Sequence, residues 1–418
     1  LIVYYVYALE QTADYQTLFE AVNDAVLILR QRYIAPSLIN YIIYPQLYDF
    51  QARAAYRLGD ELLAVNLADS VIWYHRQQAT SADSASIKSH HLAIARIFRT
   101  KQTSLAKLGR YQEVLRQSKE IIALSIQDSA LVGSILNNLG FAQLQIGRAD
   151  SSRFYAEQAL SIYQKLLSRP KADSNRLLSS KFETHLQLCL AHQESQAFRE
   201  AVSHHQQAMD CLDHIDIQDR DVKALRAKVI HGQLLAQMGQ HQAALQAFHQ
   251  GLQIGVEAFD ADTIIANPLL NQLDKQEPSI IYALAGKGDA WLEAYRSEGD
   301  TNLLRLAVEC YQLAFAVEER LRLLYAFTDS KLYAGARNRP YYEHALQAAW
   351  QLYQQSPNDT YLALALEFVE RNKAFVLWEA MNQSQVEAEN LASLQFYELT
   401  DLQDYLQARD ALVLSYFV

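Results

Sequence analysis

The chain has 418 residues, half of them apolar, and its 13 Gly and 7 Pro make up about 5% of it, against ~12% in an average sequence. That scarcity excludes collagen-like sequence, low-complexity linkers and turn-rich β architectures, while the apolar content excludes intrinsic disorder. A formal charge of −10 disfavours nucleic acid as a general partner, and no apolar run is long enough to span a membrane.

The opening LIVYYVYALE has neither the basic leader nor the cleavage site of a signal peptide, and residues 1–44 are expected to form a partial helical repeat. From 45 to 258 one phrase recurs: an apolar helix, a Gly or polar turn, and a second helix with small residues at fixed offsets. Gly59 precedes Ala64 and Ala68, Gly109 precedes Val114 and Ile121, and Gly147 precedes Ala156 and Ala159. Gln196 stands before Ala201 and Ala208, and Gly239 before Ala244 and Phe248. A turn Gly supplies the left-handed backbone that ends a helix. Gly140 and Gly232, upstream of two turns, are expected where paired helices cross, because close approach needs small side chains. The spacing therefore predicts antiparallel helix pairs that stack, since no pair buries its apolar face alone. The stretches 79–85, 168–175 and 213–221 are the expected loops between pairs.

Residues 259–280, with Asn267-Pro268 and Pro278, read as an irregular connection. A looser copy of the repeat follows within 281–390, with Gly288 and Trp291, an insertion through Gly299, and then Ala307, Tyr311 and Ala314. Helices are expected at 341–354 and 361–381, the latter amphipathic with Glu370 and Lys373 spaced to pair. ALVLSYFV (411–418) reads as a buried β-strand. A lone strand needs partners, so 391–418 is expected to begin an α/β domain absent from this chain.

The helix–turn–helix units resemble the tetratricopeptide repeat, most clearly in 133–166 and 225–258. Turns at 59, 109, 147, 196 and 239 are spaced more widely than the strict 34-residue repeat, which implies longer helices or loops. The implied fold is an all-α, TPR-like α-solenoid of antiparallel helix pairs, with a short terminal strand belonging to the missing domain. A narrower resemblance lies in Glu370-Arg371-Asn372-Lys373-Ala374 with Leu377, followed by Leu402-Gln403, Leu406, Asp410-Ala411-Leu412 and Tyr416-Phe417-Val418. This is similar to the junction of tetratricopeptide–CHAT proteins, whose CHAT domains are similar to caspases and separase. The resemblance implies a regulatory or sensor arm joined in cis to a His–Cys peptidase domain, with no catalytic residue in these 418 positions. The partner it implies is a protein or peptide on the concave face.

In tetratricopeptide repeats the first helix of each pair lines that concave groove. Arg53, Arg57, Arg96, Arg99 and Lys107 fall at groove positions of first helices, where guanidiniums suit carboxylates or phosphates. Asn137 and Asn138 are groove-adjacent and able to bond a peptide backbone. Cys189 and Cys310 read as small core residues. Three cysteines without CxxC spacing predict no disulfide framework and a reducing, cytoplasmic setting. His204, Cys211 and His214 share one arc of a helix, with Cys189 and His192 on the preceding one, yet their spacing matches no established zinc pattern. No metal or cofactor is expected, and no nucleotide-binding or hydrolase motif is present.

Overall fold

The turns come first, because they set the register of everything else. Gly59 (φ 81°), Gly109 (69°), Gly147 (76°), Gln196 (57°) and Gly239 (73°) are all left-handed. Each closes its helix in the same way, through two backbone bonds that satisfy last-turn carbonyls. The amide after the turn residue reaches back to the carbonyl five positions earlier, as in Asp60 to Ala55 (2.8 Å), Arg148 to Gln143 (2.9 Å) and Ala197 to His192 (2.9 Å). Helix starts are equally explicit. Asp60, Asp83, Asp128 and Asp173 each cap a helix through a carboxylate oxygen on backbone N–H groups of its first turn. Each such cap stabilises by about 1 kcal/mol.

A computed structural model describes residues 2–11, 15–31, 44–57, 59–169, 173–215, 220–273, 277–324, 328–369 and 371. Among the described residues every regular element is helical. The chain divides into two compact units, Leu1–Leu234 with Leu323–Tyr333, and Leu235–Arg322 with Ala334–Val418. The first holds α1 (Ile2–Gln11), α2 (Tyr15–Gln31), α3 (Tyr44–Arg57), α4 (Glu61–Ala79), α5 (Ser84–Lys107) and α6 (Tyr111–Ile122). It continues with α7 (Ser129–Gln145), α8 (Ala149–Leu167), α9 (Ser174–Glu194), α10 (Phe198–Leu212) and most of α11 (Arg220–Gln237). The second is built from α12 (His241–Gly255), α13 (Pro278–Glu298), most of α14 (Thr301–Leu324), most of α15 (Thr328–Gln355) and a helix over 359–369.

The result is a TPR-like α-solenoid of antiparallel helix pairs. In the first unit, Ala52, Gln102, Gly140, Cys189 and Gly232 each stand seven residues before a turn, and all are buried. A methyl group on Gly140 would meet the Ser152 carbonyl at 3.0 Å and Tyr155 Cβ at 3.3 Å on the partner helix. Gln102 departs from the expectation of a small residue at every crossing. Its amide is fully buried, donating to Ser118 Oγ (2.8 Å) and the Ile135 carbonyl (3.1 Å). A long side chain is tolerated there because its polar end is satisfied and Ser118 opposite is small.

In the second unit the expected insertion through Gly299 is instead a lengthened helix. Helix α13 runs unbroken to Glu298, and Gly299 (φ 74°) is its left-handed cap. The helix expected at 341–354 begins earlier, at Thr328, and passes through Pro340. The irregular connection between α12 and α13 holds one short 3-10 turn, Leu270–Gln272. It is fastened by the buried Lys287, whose ammonium donates to the Ala266 carbonyl (2.6 Å) and Asn267 Oδ1 (2.9 Å). The strand expected at 411–418, the domain start at 391–418 and the 372–381 end of the long helix lie outside the described residues. No described helix is long and apolar enough to cross a membrane.

Candidate functional site

The first-helix face of the first unit gathers charge from four of its five first helices, α7 contributing none of the groups below. Helix α3 brings Asp49 and Arg53, α5 brings Arg96 and Arg99, and α9 brings Arg176 and Glu183, with Arg226 beyond on α11. Asp49 lies close enough to Arg53, Arg96 and Arg99 to feel all three, and burial raises its carboxyl pKa against their pull. Burial likewise lowers the pKa of Arg99, and the like charges of Arg176 and Arg53 add to the effect. Arg99 thus stands within range of two like charges, Arg176 and Arg53, and of the Asp128 carboxylate that partly offsets them.

Partners separate these residues into two classes. Arg53 bridges Glu10 (2.7 Å) and Asp49 (3.3 Å) and lies over the Phe50 ring, 4.6 Å from its centroid. Arg57 sits over the rings of Tyr15 and Tyr56. Lys107 bonds Glu61 (2.7 Å) and covers Tyr56 at 4.1 Å. Arg226 donates to Glu183 (2.5 Å). By contrast, Arg96, Arg99 and Arg176 have no side-chain acceptor among the described residues. Arg96 is exposed and Arg99 half-buried, so both remain accessible from the face.

The two asparagines are engaged within the protein. Asn138 Nδ2 donates to Gln102 Oε1 (3.1 Å). Asn137 meets the buried Gln187 amide, which in its satisfied orientation donates to the Asn137 carbonyl (2.9 Å) and accepts from the Phe141 amide (3.0 Å). Both therefore tie α7 to the neighbouring first helices, Asn138 to α5 and Asn137 to α9. Arg176, Glu183 and Arg226 were not singled out from sequence. The signal for two of them was available: Glu183 and Arg226 occupy the frame position of Arg96, thirteen residues before their turns (183 to 196, 226 to 239, 96 to 109).

The second unit's first-helix face is cross-linked differently. Asp289 on α13 accepts from Tyr311 Oη (2.6 Å) on α14 and from His344 Nδ1 (2.8 Å) on α15. Arg296 donates to Gln347 (2.9 Å), so charged groups here are tied across the helices. A buried ion pair, Arg322 with Glu318, lies under Tyr342, whose ring stacks on Phe315 at 3.8 Å.

The cysteines are all buried and free. Burial pushes the Cys189 thiol up to about 12 and the Cys310 thiol to about 11, which leaves neither as a thiolate nucleophile near neutrality. His204 turns to His185 and stacks on His192, while the His214 imidazole N–H donates to its own helix at the Asp210 carbonyl (2.9 Å). Among the described residues no group of three or more His, Cys, Asp or Glu is arranged to hold a metal ion.

No family model matches the sequence, and no curated protein does. Among solved structures, apo RapI is similar with a TM-score of 0.53 at 14% identity, over 77% of this chain and 98% of that one. A Rap protein solved with Competence and Sporulation Factor gives 0.48 at 10% identity, over 91% and 98% of the two chains. NprR in complex with its cognate peptide NprX gives 0.45 at 10% identity, over 98% of each. The likeness to RapI shows the fold.

Proposed function

We propose that the first-helix face of the first unit binds an extended, acidic segment of a partner protein, whose carboxylates are held by Arg96, Arg99 and Arg176. The observation that carries this reading is the absence, among the described residues, of a side-chain acceptor for those three guanidiniums, on a face where Arg53, Lys107 and Arg226 each have one. A half-buried cation beside two like charges gains most from an incoming anion, and a charge-assisted bond of this kind contributes about 1.5–3 kcal/mol. Arg53, Arg57 and Lys107, already packed on aromatic rings, frame one end, while Asn137 and Asn138 tie α7 to the neighbouring first helices. A face preformed by stacked helices orders little on binding, which favours affinity.

The test compares an Asp/Glu-rich peptide with its Asn/Gln counterpart by fluorescence anisotropy. The wild-type chain binds the acidic peptide more tightly. The triple variant R96E/R99E/R176E loses about a hundredfold, two or three charge-assisted contacts being reversed. Equal binding by both proteins overturns the assignment.

The finer reading is that this chain is the regulatory arm of a CHAT-type cysteine peptidase. It is supported by the residue order from Glu370 to Val418, described above. On this reading the 418 residues carry no peptidase chemistry themselves. Activity belongs to a polypeptide continuing past Val418 with a His–Cys pair, and it responds to the triple variant in the groove. Peptide cleavage by the 418-residue chain alone would refute it.

A further inference from the structure

Seven of the 12 histidines meet another histidine across a helix seam of the first unit. His75 on α4 and His90 on α5 approach at 3.0 Å between their Nδ1 atoms. His185 on α9 and His204 on α10 do so at 3.2 Å, and the His192 ring stacks on His204 with centroids 5.3 Å apart. The next residue along α10, His205, faces the other way. Its ring stacks on His231 of α11 at 4.4 Å, and its Nε2–H donates to the Ala227 carbonyl (3.1 Å). Consecutive residues on a helix diverge by about 100°. Helix α10 is thus clasped on both flanks by imidazoles.

Such contacts tolerate only a limited number of protons. An Nδ1-to-Nδ1 bond needs one ring to donate and the other to accept through a bare nitrogen. A second proton removes the acceptor and sets two like charges against each other. The surroundings differ between the two seams. At α9/α10, Lys181 and Asp210 face His185, while Arg153, Glu157 and Glu200 face His192, so carboxylates and cations are both at hand. At α10/α11 the cation Lys228 faces both His205 and His231 and lowers the pKa of each. Desolvation works in the same direction at His185, His192, His204, His205 and His231, with His185 and His231 both held down at about 4.

We propose that α10 is an acid-released latch: protonation of the imidazole pairs on its two flanks opens the α9/α10 and α10/α11 seams and frees the helix from the stack. The linkage has a definite sign. Groups whose folded value lies below the ordinary 6.5 stabilise fully above 6.5, and that stability is lost as pH falls from there toward about 4. At about pH 5 each strongly shifted histidine alone favours the open form by about tenfold or more. Helices α9 and α11 are also joined to each other directly, by the Glu183–Arg226 bridge (2.5 Å) on the first-helix face. The latch itself follows from the seams and does not depend on what the groove binds.

Hydrogen exchange of the whole chain, corrected for intrinsic rates, tests it at about pH 7 and about pH 5. Amides of Phe198–Leu212 and Arg220–His231 are expected to lose protection by at least about tenfold at the lower pH, while α13 in the second unit keeps its own. H204Q/H231Q, which keeps neutral hydrogen-bonding groups at both seams, is expected to flatten that response, and H214Q, outside the pairs, to leave it intact. An equal loss across all helices overturns the proposal, as does a full acid response in H204Q/H231Q. If the double variant is already open at neutral pH, nuclear magnetic resonance titration of the wild-type rings decides. His185 and His231 titrating near 6.5 would sink the latch, and titration well below it upholds the latch.

Discussion

Glu183 and Arg226 occupy the same frame position on successive first helices, and they meet at 2.5 Å on the first-helix face of the first unit. With side chains 32% and 41% exposed, the pair sits in a screened environment where net contributions are small. A double-mutant cycle of E183Q and R226Q, read from urea midpoints, is expected to give a coupling of about 0.5 kcal/mol that shrinks with added salt. A coupling several times larger would mean that the face is far drier than its exposure suggests.

Two glycines are expected to fail for different reasons when given a methyl group. At Gly140 the new Cβ meets backbone at 3.0 Å, so G140A overpacks a helix crossing and costs about 1–3 kcal/mol. At Gly147 nothing lies within 4 Å, yet φ is 76°, so G147A costs about 1 kcal/mol through backbone strain alone. Thermal melts of both variants separate the cases, because a leucine at 147 should be no worse than alanine, whereas at 140 it should be far worse.

The buried Gln102 holds Ser118, Ile135 and Asn138 together across three helices. Q102A is expected to destabilise by about 2–4 kcal/mol, since it leaves both a cavity and unpaired polar groups. Adding N138A to Q102A should then cost little more, because its chief partner is already gone.

His344 runs opposite to the histidines of the first unit. Its bond to Asp289 raises its pKa above 6.5 despite burial. The pair's stabilisation is therefore fully present below 6.5 and fades as pH rises through the raised folded value. D289N should bring the His344 titration down and remove that alkaline loss, which ring-proton shifts would register directly. Partial exposure of the pair, 44% and 30%, keeps the effect on stability modest.

Slow thiol chemistry should mark the cysteines. Cys189 and Cys310 are fully buried, with thiols pushed up to about 12 and 11. Native protein is expected to react with a disulfide reagent at these sites only as fast as it unfolds, and stoichiometric labelling within seconds would contradict their burial.

Much of this architecture was legible because its signals are local. Gly59, Gly109, Gly147, Gln196 and Gly239 mark turns by residue type and spacing, and all five adopt the left-handed backbone that such turns require. The helix assignment of Arg53, Arg96 and Arg99 was legible too, since frame position alone places them on first helices. What spacing does not reveal is which charges are cancelled. Arg53 has an acceptor four residues back, Asp49, that its own stretch of sequence shows, and a second, Glu10 from another repeat, that it does not. The histidine seams were hidden for the same reason. His185 and His204 are 19 residues apart, and only the hairpin brings them to 3.2 Å. Arc position on one helix had suggested His214 and Cys211 as companions of His204, but the ring looks across the seam instead.

Gln196 is the one turn among the five that lacks glycine, and its φ of 57° strains a side-chain-bearing residue by about 1 kcal/mol. That turn joins α9 to α10, the hairpin whose facing histidines oppose each other when protonated. The closed hairpin is in this sense spring-loaded: it carries a backbone tension that any loosening of α10 would relieve. Replacing the residue with glycine would slacken the spring, so Q196G should shift acid opening to lower pH without touching a single imidazole.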